Sequence, residues 1–303
     1  MNLDDVRKLS AMDRMVYWIK ERESIRLKRE AKKPAPWTDD PILHRYRFCN
    51  VRRMDDKVSR WLLHNWYGPY KDHPNMLAAV VLARHFNLPD TLTWFTNHLF
   101  GSGIPNWERI KKEVRARKAN GNVVFNNAYM VRGIGTTDKT EMVVDNVTRP
   151  LFESSKEGRI VYSDSMRKTH EILCCFWGVA SFMAGQIVAD LRWAVDGDWK
   201  DKYTWAPMGP GSARGLARLL YCDEWEGVAK SYVSSSVSID GRQSWNIDFS
   251  HHVLGTVFPL VPVSIKARME AHDFQNCLCE FDKYERTLWD QGKPKQRYTG
   301  SGA

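Results

Sequence analysis

Residues 164–191 read DSMRKTHEILCCFWGVASFMAGQIVADL, and their apolar side chains recur at helical spacing on both sides of a central break. Residues 166–176 form one apolar face, and residues 182–191 resume the same period. Gly178 lies at the break and is followed by Val179, an apolar residue suited to plug the turn. The stretch therefore predicts a helix, a tight hairpin and a second helix.

The same period recurs along most of the chain. It predicts further helices over residues 1–31, 41–67, 75–86, 92–100, 107–117, 213–221 and 271–288. Residues 122–135 and 142–147 are rich in β-branched or aromatic side chains, which favours a small β element near 122–147. The predicted fold class is mainly α, a helical bundle that contains the hairpin.

Proline and charge patterns suggest where the chain divides. Pro34 and Pro36 end a basic helical segment, because proline stops a helix. We therefore predict an N-terminal basic segment over 1–34, a helical domain over 35–290 and a flexible tail over 291–303.

The charge balance favours a polyanionic partner. The chain has 303 residues, with 45 Lys and Arg against 36 Asp and Glu, for a net charge of +9. Nucleic acid is the leading candidate on electrostatic grounds.

No apolar run approaches the roughly 18 residues that span a bilayer, and no signal peptide is evident, so we expect a cytoplasmic protein. The six cysteines show no paired CxxC or Cys/His zinc spacing, so we expect reduced thiols and no metal site.

The loop Gly209-Pro210-Gly211-Ser212 precedes a predicted helix that carries Arg214 and Arg218 one turn apart. Glycines allow close backbone approach, and free N–H groups at a helix start attract anions. The loop suits a phosphate or a diphosphate, although a structural turn with exposed arginines would have the same sequence. It is not a Walker loop, because no Lys-Ser/Thr pair closes it.

Two further polar sets lie at helical spacing. Asn50, Arg53 and Asp56 would project from one side of a helix, where they could read a base edge and hold a phosphate, or form a surface network.

In residues 276–286, Glu280, Lys283 and Arg286 share one helical edge, and Asp282 is spaced to pair with Arg286. A carboxylate beside cations is suited to general base catalysis on an amine, but a surface ladder of salt bridges is the alternative.

The hairpin resembles the helix-hairpin-helix element of DNA glycosylases, whose backbone N–H groups bind a DNA phosphate. The resemblance assigns DNA binding to Gly178, Val179 and Ala180, with Ala180 at a position where those enzymes have a second glycine. Those enzymes also place a catalytic Asp about twenty residues later, and residues 205–211 contain no carboxylate. The chain would then dock on DNA without cutting a glycosidic bond.

Five segments in matching order resemble the alpha-glutamyl/putrescinyl thymine pyrophosphorylase family. They are FCNVRRMDDKVSRWL (48–62), FNNAYMV (125–131), HEILCCFWGVASFMAGQIVADL (170–191), APMGPGSARGL (206–216) and CLCEFDKYER (277–286). The resemblance implies a phage enzyme that acts on double-stranded DNA carrying a pyrophosphorylated 5-hydroxymethyluracil. An amine from an amino acid, such as glycine or glutamate, or from putrescine, would displace pyrophosphate.

The resemblance also implies roles for individual residues. Pyrophosphate would be bound by Gly209, Gly211, Arg214 and Arg218. The base pocket would be formed by Asn50, Arg53, Asp56 and Tyr129. Asp282 or Glu280 would be the general base, with Lys283 and Arg286 as electrostatic partners. The target base would be flipped out of the duplex. Mg2+ is compatible with a diphosphate, but no carboxylate cluster requires it.

Two other functions fit the same sequence. A DNA glycosylase or repair lyase would leave abasic sites. A non-catalytic helical module that binds DNA and assists a 5-hydroxymethyluracil DNA kinase would consume no modified base. The chain shows no kinase P-loop.

Overall fold

The computed structural model describes residues 2–101, 103–126, 138–157, 164–221, 226, 237–239, 242–244, 258–294 and 296–297. These residues are mainly helical, which confirms the predicted fold class. The α-helices are α1 (Leu3–Lys8), α2 (Ala11–Glu30), α3 (Pro41–Arg45), α4 (Lys57–Trp61), α5 (Met76–Phe86), α6 (Pro89–Phe100), α7 (Trp107–Ala119), α8 (Lys139–Glu141), α9 (Arg149–Lys156), α10 (Met166–Cys174), α11 (Ser181–Ala194), α12 (Pro210–Tyr221), α13 (Val263–Lys266) and α14 (Ala271–Leu288). Two short strands, β1 (Val237–Ile239) and β2 (Arg242–Ser244), pair with each other.

Contacts divide the chain into two compact units. Unit 1 comprises Met1–Asp56, Lys202–Val237 and Ser244–Ala303, and unit 2 comprises Lys57–Asp201 and Ser238–Gln243. No helix in the described ranges combines the length and the apolar character needed to cross a bilayer.

The core of unit 1 is built by α2, α12 and α14. Trp18 on α2, Leu216 on α12 and Phe274 and Phe281 on α14 are fully buried in one cluster. Residues 1–34, which we predicted to be a separate basic segment, therefore contribute to this core through α2. At the other end of the chain, Arg297 forms an isolated β-bridge with Tyr46.

A buried carboxylate ties three helices of unit 1 together. Asp40 is 1% exposed and caps α3, where its Oδ1 accepts from the backbone N–H of Ile42 at 2.8 Å. Its Oδ2 accepts from the Tyr284 hydroxyl of α14 at 2.6 Å and from the Tyr17 hydroxyl of α2 at 3.1 Å. Burial and the Asp40 charge raise the pKa of Tyr284, so its hydroxyl remains a donor at neutral pH.

Helices α12 and α14 approach closely because two glycines of α12 face α14. A Cβ on Gly211 would lie 2.5 Å from Cys279 Sγ, and one on Gly215 would overlap the Leu278 carbonyl oxygen. The two glycines are four residues apart and so share one face of α12. This close approach brings the polar side chains of the two helices together.

Unit 2 is organised around α5, all of whose residues are buried. It packs against α11, α9, α6 and a helical segment over Met142–Thr148 that has π-type hydrogen bonding. The strand predicted over 142–147 is therefore wrong, because Val143, Val144 and Val147 are buried on a helix rather than on a sheet. Residues 122–126 form no strand, and residues 127–137 lie outside the described residues.

Helices α10 and α11 occur where the hairpin was predicted. Gly178 has a φ of 78°, the left-handed region that favours glycine, and a Cβ there would lie 2.6 Å from Val147 Cγ2. Val179 is fully buried, as expected of an apolar plug. Asp201 caps α10, with its carboxylate accepting from the Met166 N–H at 2.7 Å.

The single helix predicted over 41–67 is wrong. Helix α3 ends at Arg45, extended backbone follows, a 3-10 turn covers Arg53–Asp55, and α4 continues into a π-type segment over Leu62–Tyr67. Of the apolar residues that suggested one helix, Val51 and Leu62 are buried, whereas Met54, Val58 and Trp61 are only partly buried. Charged contacts with α2 hold the chain near Arg52 and Asp55. Arg52 pairs with Glu23 of α2 at 2.9 Å.

Candidate functional site

Three arginines of unit 1 converge on one buried carboxylate. Asp282 on α14 is 1% exposed. Its Oδ1 accepts from Arg218 Nε at 3.0 Å, and its Oδ2 accepts from Arg214 Nε at 3.0 Å. Arg286 Nε lies 3.2 Å from the same Oδ2. We call Asp282, Arg214, Arg218 and Arg286 the arginine cluster.

The arginine cluster carries a net positive charge, since three guanidinium groups share one carboxylate. Burial lowers the pKa of Arg218, the contact with Asp282 opposes that shift, and an arginine remains charged at neutral pH. Arg218 also donates to Gln291 Oε1 at 2.7 Å. The side chains of Arg214 and Arg286 are 36% and 37% exposed, so both reach solvent.

The two exposed arginines have N–H donors that no described residue accepts. Within the described residues, the terminal nitrogens of Arg214 and Arg286 make no hydrogen bond, and Arg286 Nε, although 3.2 Å from Asp282 Oδ2, makes none either. A guanidinium group has five N–H donors in a fixed plane, which suits the oxygens of a phosphate or a diphosphate. The arginine cluster is therefore a candidate anion site.

The glycine loop before α12 makes hydrogen bonds within unit 1. The Gly209 N–H already donates to Ser212 Oγ at 2.9 Å, and Ser212 Oγ also accepts from Gln275 Nε2 at 2.9 Å. Gly211 serves the contact with Cys279 described above. Anion binding by Gly209 and Gly211 stays a prediction, and the guanidinium groups that follow the loop are candidates for the same role.

The other predicted catalytic residues lie in a second contact group. Glu280 Oε2 accepts from the Cys49 N–H at 2.9 Å and from Lys283 Nζ at 2.6 Å. Lys283 also donates to the Arg47 carbonyl at 3.1 Å and lies 4.5 Å from the centre of the Phe48 ring. Glu280 and Lys283 therefore hold residues 47–49 against α14.

Asn50, Arg53 and Asp56 do not share a helical face, which corrects their predicted arrangement. The Asn50 side chain accepts from Arg22 Nη2 at 2.5 Å and donates to the Asp55 carbonyl at 2.8 Å. The Arg53 N–H donates to Asp273 Oδ1 at 2.7 Å, and Asp56 ends the 3-10 turn. Tyr129 lies outside the described residues.

The hairpin residues predicted to bind DNA lie in unit 2. The Val179 N–H donates to the Phe176 carbonyl at 3.2 Å, so it closes the turn. Ala180 precedes α11 as its N-cap and provides no side-chain cap. A phosphate contact at Gly178, Val179 or Ala180 stays a prediction.

Neither a metal nor a thiolate has an evident place near the arginine cluster. In the described ranges, no group of three or more His, Cys, Asp or Glu side chains is arranged to hold a metal ion. Both oxygens of Asp282 face guanidinium groups, so the cluster does not fit a Mg2+ site of its own. Burial and the charge of Glu280 raise the pKa of the Cys279 thiol to about 11, which keeps it protonated at neutral pH.

Sequence reasoning missed two residues that shape the arginine cluster. Gly215 permits the close approach of α12 and α14, and its spacing of four from Gly211 was a usable signal. Gln291, which accepts from Arg218, follows α14 in a stretch without periodic pattern, so nothing in the sequence indicated it.

Fold and site together define a basic, mainly helical protein with an arginine cluster that is a candidate anion site. The family described as "5-hmdU DNA kinase, helical domain" matches residues 9–293, and the chain belongs to that family. A 5-hmdU DNA kinase of Bacillus phage SP10 is 27% identical over 217 residues, which cover 65% of this chain and 34% of the phage protein. The chain thus spans about a third of that relative's length. No solved structure matches.

These matches agree with the resemblance stated above at the level of phage proteins for modified thymine in DNA. They do not name the pyrophosphorylase family.

Proposed function

We propose that this protein transfers an amine onto pyrophosphorylated 5-hydroxymethyluracil in DNA and releases pyrophosphate. The observation that carries the proposal is the arginine cluster, in which one buried carboxylate holds three guanidinium groups and two of them reach solvent. Such a site suits a leaving diphosphate, because negative charge develops on the diphosphate oxygen as its bond to carbon breaks. Membership of the 5-hmdU DNA kinase helical-domain family supports a modified thymine as the DNA substrate.

The proposed reaction exchanges one bond at the methylene carbon of the base. The amine nitrogen forms a bond to that carbon, and the bond from carbon to the diphosphate oxygen breaks, with its electron pair leaving on the oxygen. Arg214 and Arg286 bind the departing diphosphate, while Arg218 and Asp282 fix their orientation. The donor amine, an amino acid or a polyamine, loses a proton in the step.

Neither predicted base is well placed to take that proton at the arginine cluster. Asp282 faces arginines at both oxygens, and Glu280 is two residues earlier on α14, so it projects from another face. We therefore propose that Asp282 is a positioning residue and that the proton leaves to solvent. Base catalysis by Asp282 or Glu280 stays a prediction that the Asp282 variants discussed below test.

The test is mass spectrometry of nucleosides digested from DNA that carries pyrophosphorylated 5-hydroxymethyluracil. The DNA is first incubated with the protein and a pool of amino acids and polyamines. A new nucleoside with one amine in place of the diphosphate would support the transfer and identify the donor. Free base with abasic sites would instead establish a glycosylase.

The second candidate is a non-catalytic module that presents DNA to a kinase. It is favoured by the match to only 34% of a 5-hmdU DNA kinase, which leaves room for a kinase part elsewhere in that relative. An unchanged nucleoside profile together with tight DNA binding would favour this candidate over amine transfer.

We expect Arg214→Gln to lower the rate of amine transfer at least tenfold. A charge-assisted hydrogen bond is worth about 1.5–3 kcal/mol, and roughly 1.4 kcal/mol corresponds to a factor of ten. The matched control is Arg7→Gln, because Arg7 is 37% exposed, pairs with an aspartate at 2.8 Å and lies outside the arginine cluster. Equal rates in the two variants would remove Arg214 from the site.

A further inference from the structure

A second cationic surface lies in unit 1, apart from the residues of the arginine cluster. A groove of about 810 Å³ runs between α2 and the residues around α13. Its cationic side chains that pair with no carboxylate in the described part of the chain are Lys20, Lys28, Lys33 and Arg268. We call this surface the basic groove.

The acidic residue of the basic groove does not cancel this charge. Glu23 lies among the lining residues, but it pairs with Arg26 at 2.6 Å and with Arg52 at 2.9 Å. Burial alone would raise the pKa of Glu23, but these arginines lower it below its ordinary value, so the carboxylate is ionised and already neutralised. No carboxylate of the described structure neutralises the four cations, although Lys28 Nζ donates to the Trp37 carbonyl at 2.7 Å.

The cations form a line rather than a point. Lys20 and Lys28 are eight residues apart on α2, which corresponds to about 12 Å along the helix axis. Arg268, which follows α13, lies on the opposite wall. A compact anion needs donors that converge, as in the arginine cluster, whereas a line of cations matches a polymer with regularly spaced charges.

DNA is such a polymer, with one charge per about 3.4 Å of axis on each strand, so several phosphates fit within the roughly 12 Å between Lys20 and Lys28. A strand that follows α2 would therefore bring several phosphates within reach of the groove. Leu27 lines the same groove and is 52% exposed, which places an apolar contact where a deoxyribose could pack. The cations and this apolar contact both favour a sugar-phosphate backbone.

We infer that the basic groove binds the phosphodiester backbone of DNA and holds the duplex during modification. The inference rests on the proposed function in that it takes DNA as the substrate. Backbone contacts position a protein on DNA without reading its sequence. The groove would therefore contribute affinity and salt dependence rather than a choice of target base.

The test is the salt dependence of binding to a short unmodified duplex, followed by fluorescence anisotropy over about 50 to 200 mM salt. The variant is Lys20→Gln/Arg268→Gln, which removes one exposed cation from each wall. We expect the slope of log K against log salt to fall by about 0.9 for each lost phosphate contact. The matched control is Lys112→Gln/Lys118→Gln, two exposed cations of α7 in unit 2, with an equal change in net charge.

An unchanged slope in the groove variant would overturn the inference, and so would an equal fall in the control pair, since the effect would then be diffuse. Wild-type protein that binds no DNA would overturn both the groove and the proposed function. A groove-specific fall together with no amine transfer would support the groove and reject the transfer reaction.

Discussion

Replacing Asp190 by alanine is expected to lower the free energy of unfolding by about 3–5 kcal/mol, the range for removing one partner of a buried ion pair. Asp190 is fully buried on α11 in unit 2. Its Oδ1 accepts from Arg84 Nη2 of α5 at 2.7 Å, and its Oδ2 accepts from the Tyr67 hydroxyl at 2.6 Å and from Arg84 Nε. The variant would remove the carboxylate that faces the buried Arg84 guanidinium at two of its nitrogens.

The measurement is urea unfolding followed by tryptophan fluorescence. Asp196→Ala is the matched control, because Asp196 is 72% exposed and pairs with Lys71 at the surface, where such pairs contribute little. We expect no measurable change in that control. A similar unfolding midpoint for wild type and Asp190→Ala would show that the buried pair does not hold α5 and α11 together.

Helices with a regular period of apolar residues were predictable, because those residues form one face that is buried in a hydrophobic core. Helix α14 spans Ala271–Leu288 as predicted, and its residues Phe274, Leu278 and Phe281 all point into unit 1. The hairpin was predictable for a further reason, since Gly178 marks a left-handed turn that few other residues adopt.

The errors in the fold occur where tertiary contacts override local pattern. Residues 46–56 carry apolar residues at helical spacing, but Arg52 pairs with Glu23 of α2, a partner 29 positions earlier in the chain. Residues 142–147 have β-branched side chains typical of strands, yet burial against α5 and α9 favours a helix there. Neither contact is visible in a local window of sequence.

The site was predictable in its parts but not in its arrangement. The sequence indicated Arg214 and Arg218 as one anion-binding pair and Asp282 with Arg286 as another set, and the predicted pair of Asp282 and Arg286 is present. Their meeting depends on the crossing of α12 and α14, helices that begin some sixty residues apart. That crossing gives Asp282 a structural environment that its sequence neighbours did not indicate.

Replacing Asp282 by asparagine is expected to lower amine transfer at least a hundredfold, roughly the loss of two tenfold contacts. Without the negative charge, the three guanidinium groups repel one another and lose the common partner that orients Arg214 and Arg286. If Asp282 is a positioning residue, the affinity for inorganic pyrophosphate falls together with the rate. If Asp282 is instead the general base, the rate falls and pyrophosphate binding is retained.

Because Arg218 is 4% exposed, Asp282→Asn leaves a buried cation poorly paired and can unfold the protein. Arg286→Gln provides the milder test, since its side chain is 37% exposed and the contacts of Arg214 and Arg218 with Asp282 remain. We expect this variant to bind pyrophosphate at least tenfold more weakly in isothermal titration calorimetry, with an unchanged unfolding midpoint. Wild-type affinity in Arg286→Gln would contradict an anion site at the arginine cluster, because an exposed guanidinium in such a site must contact the ligand.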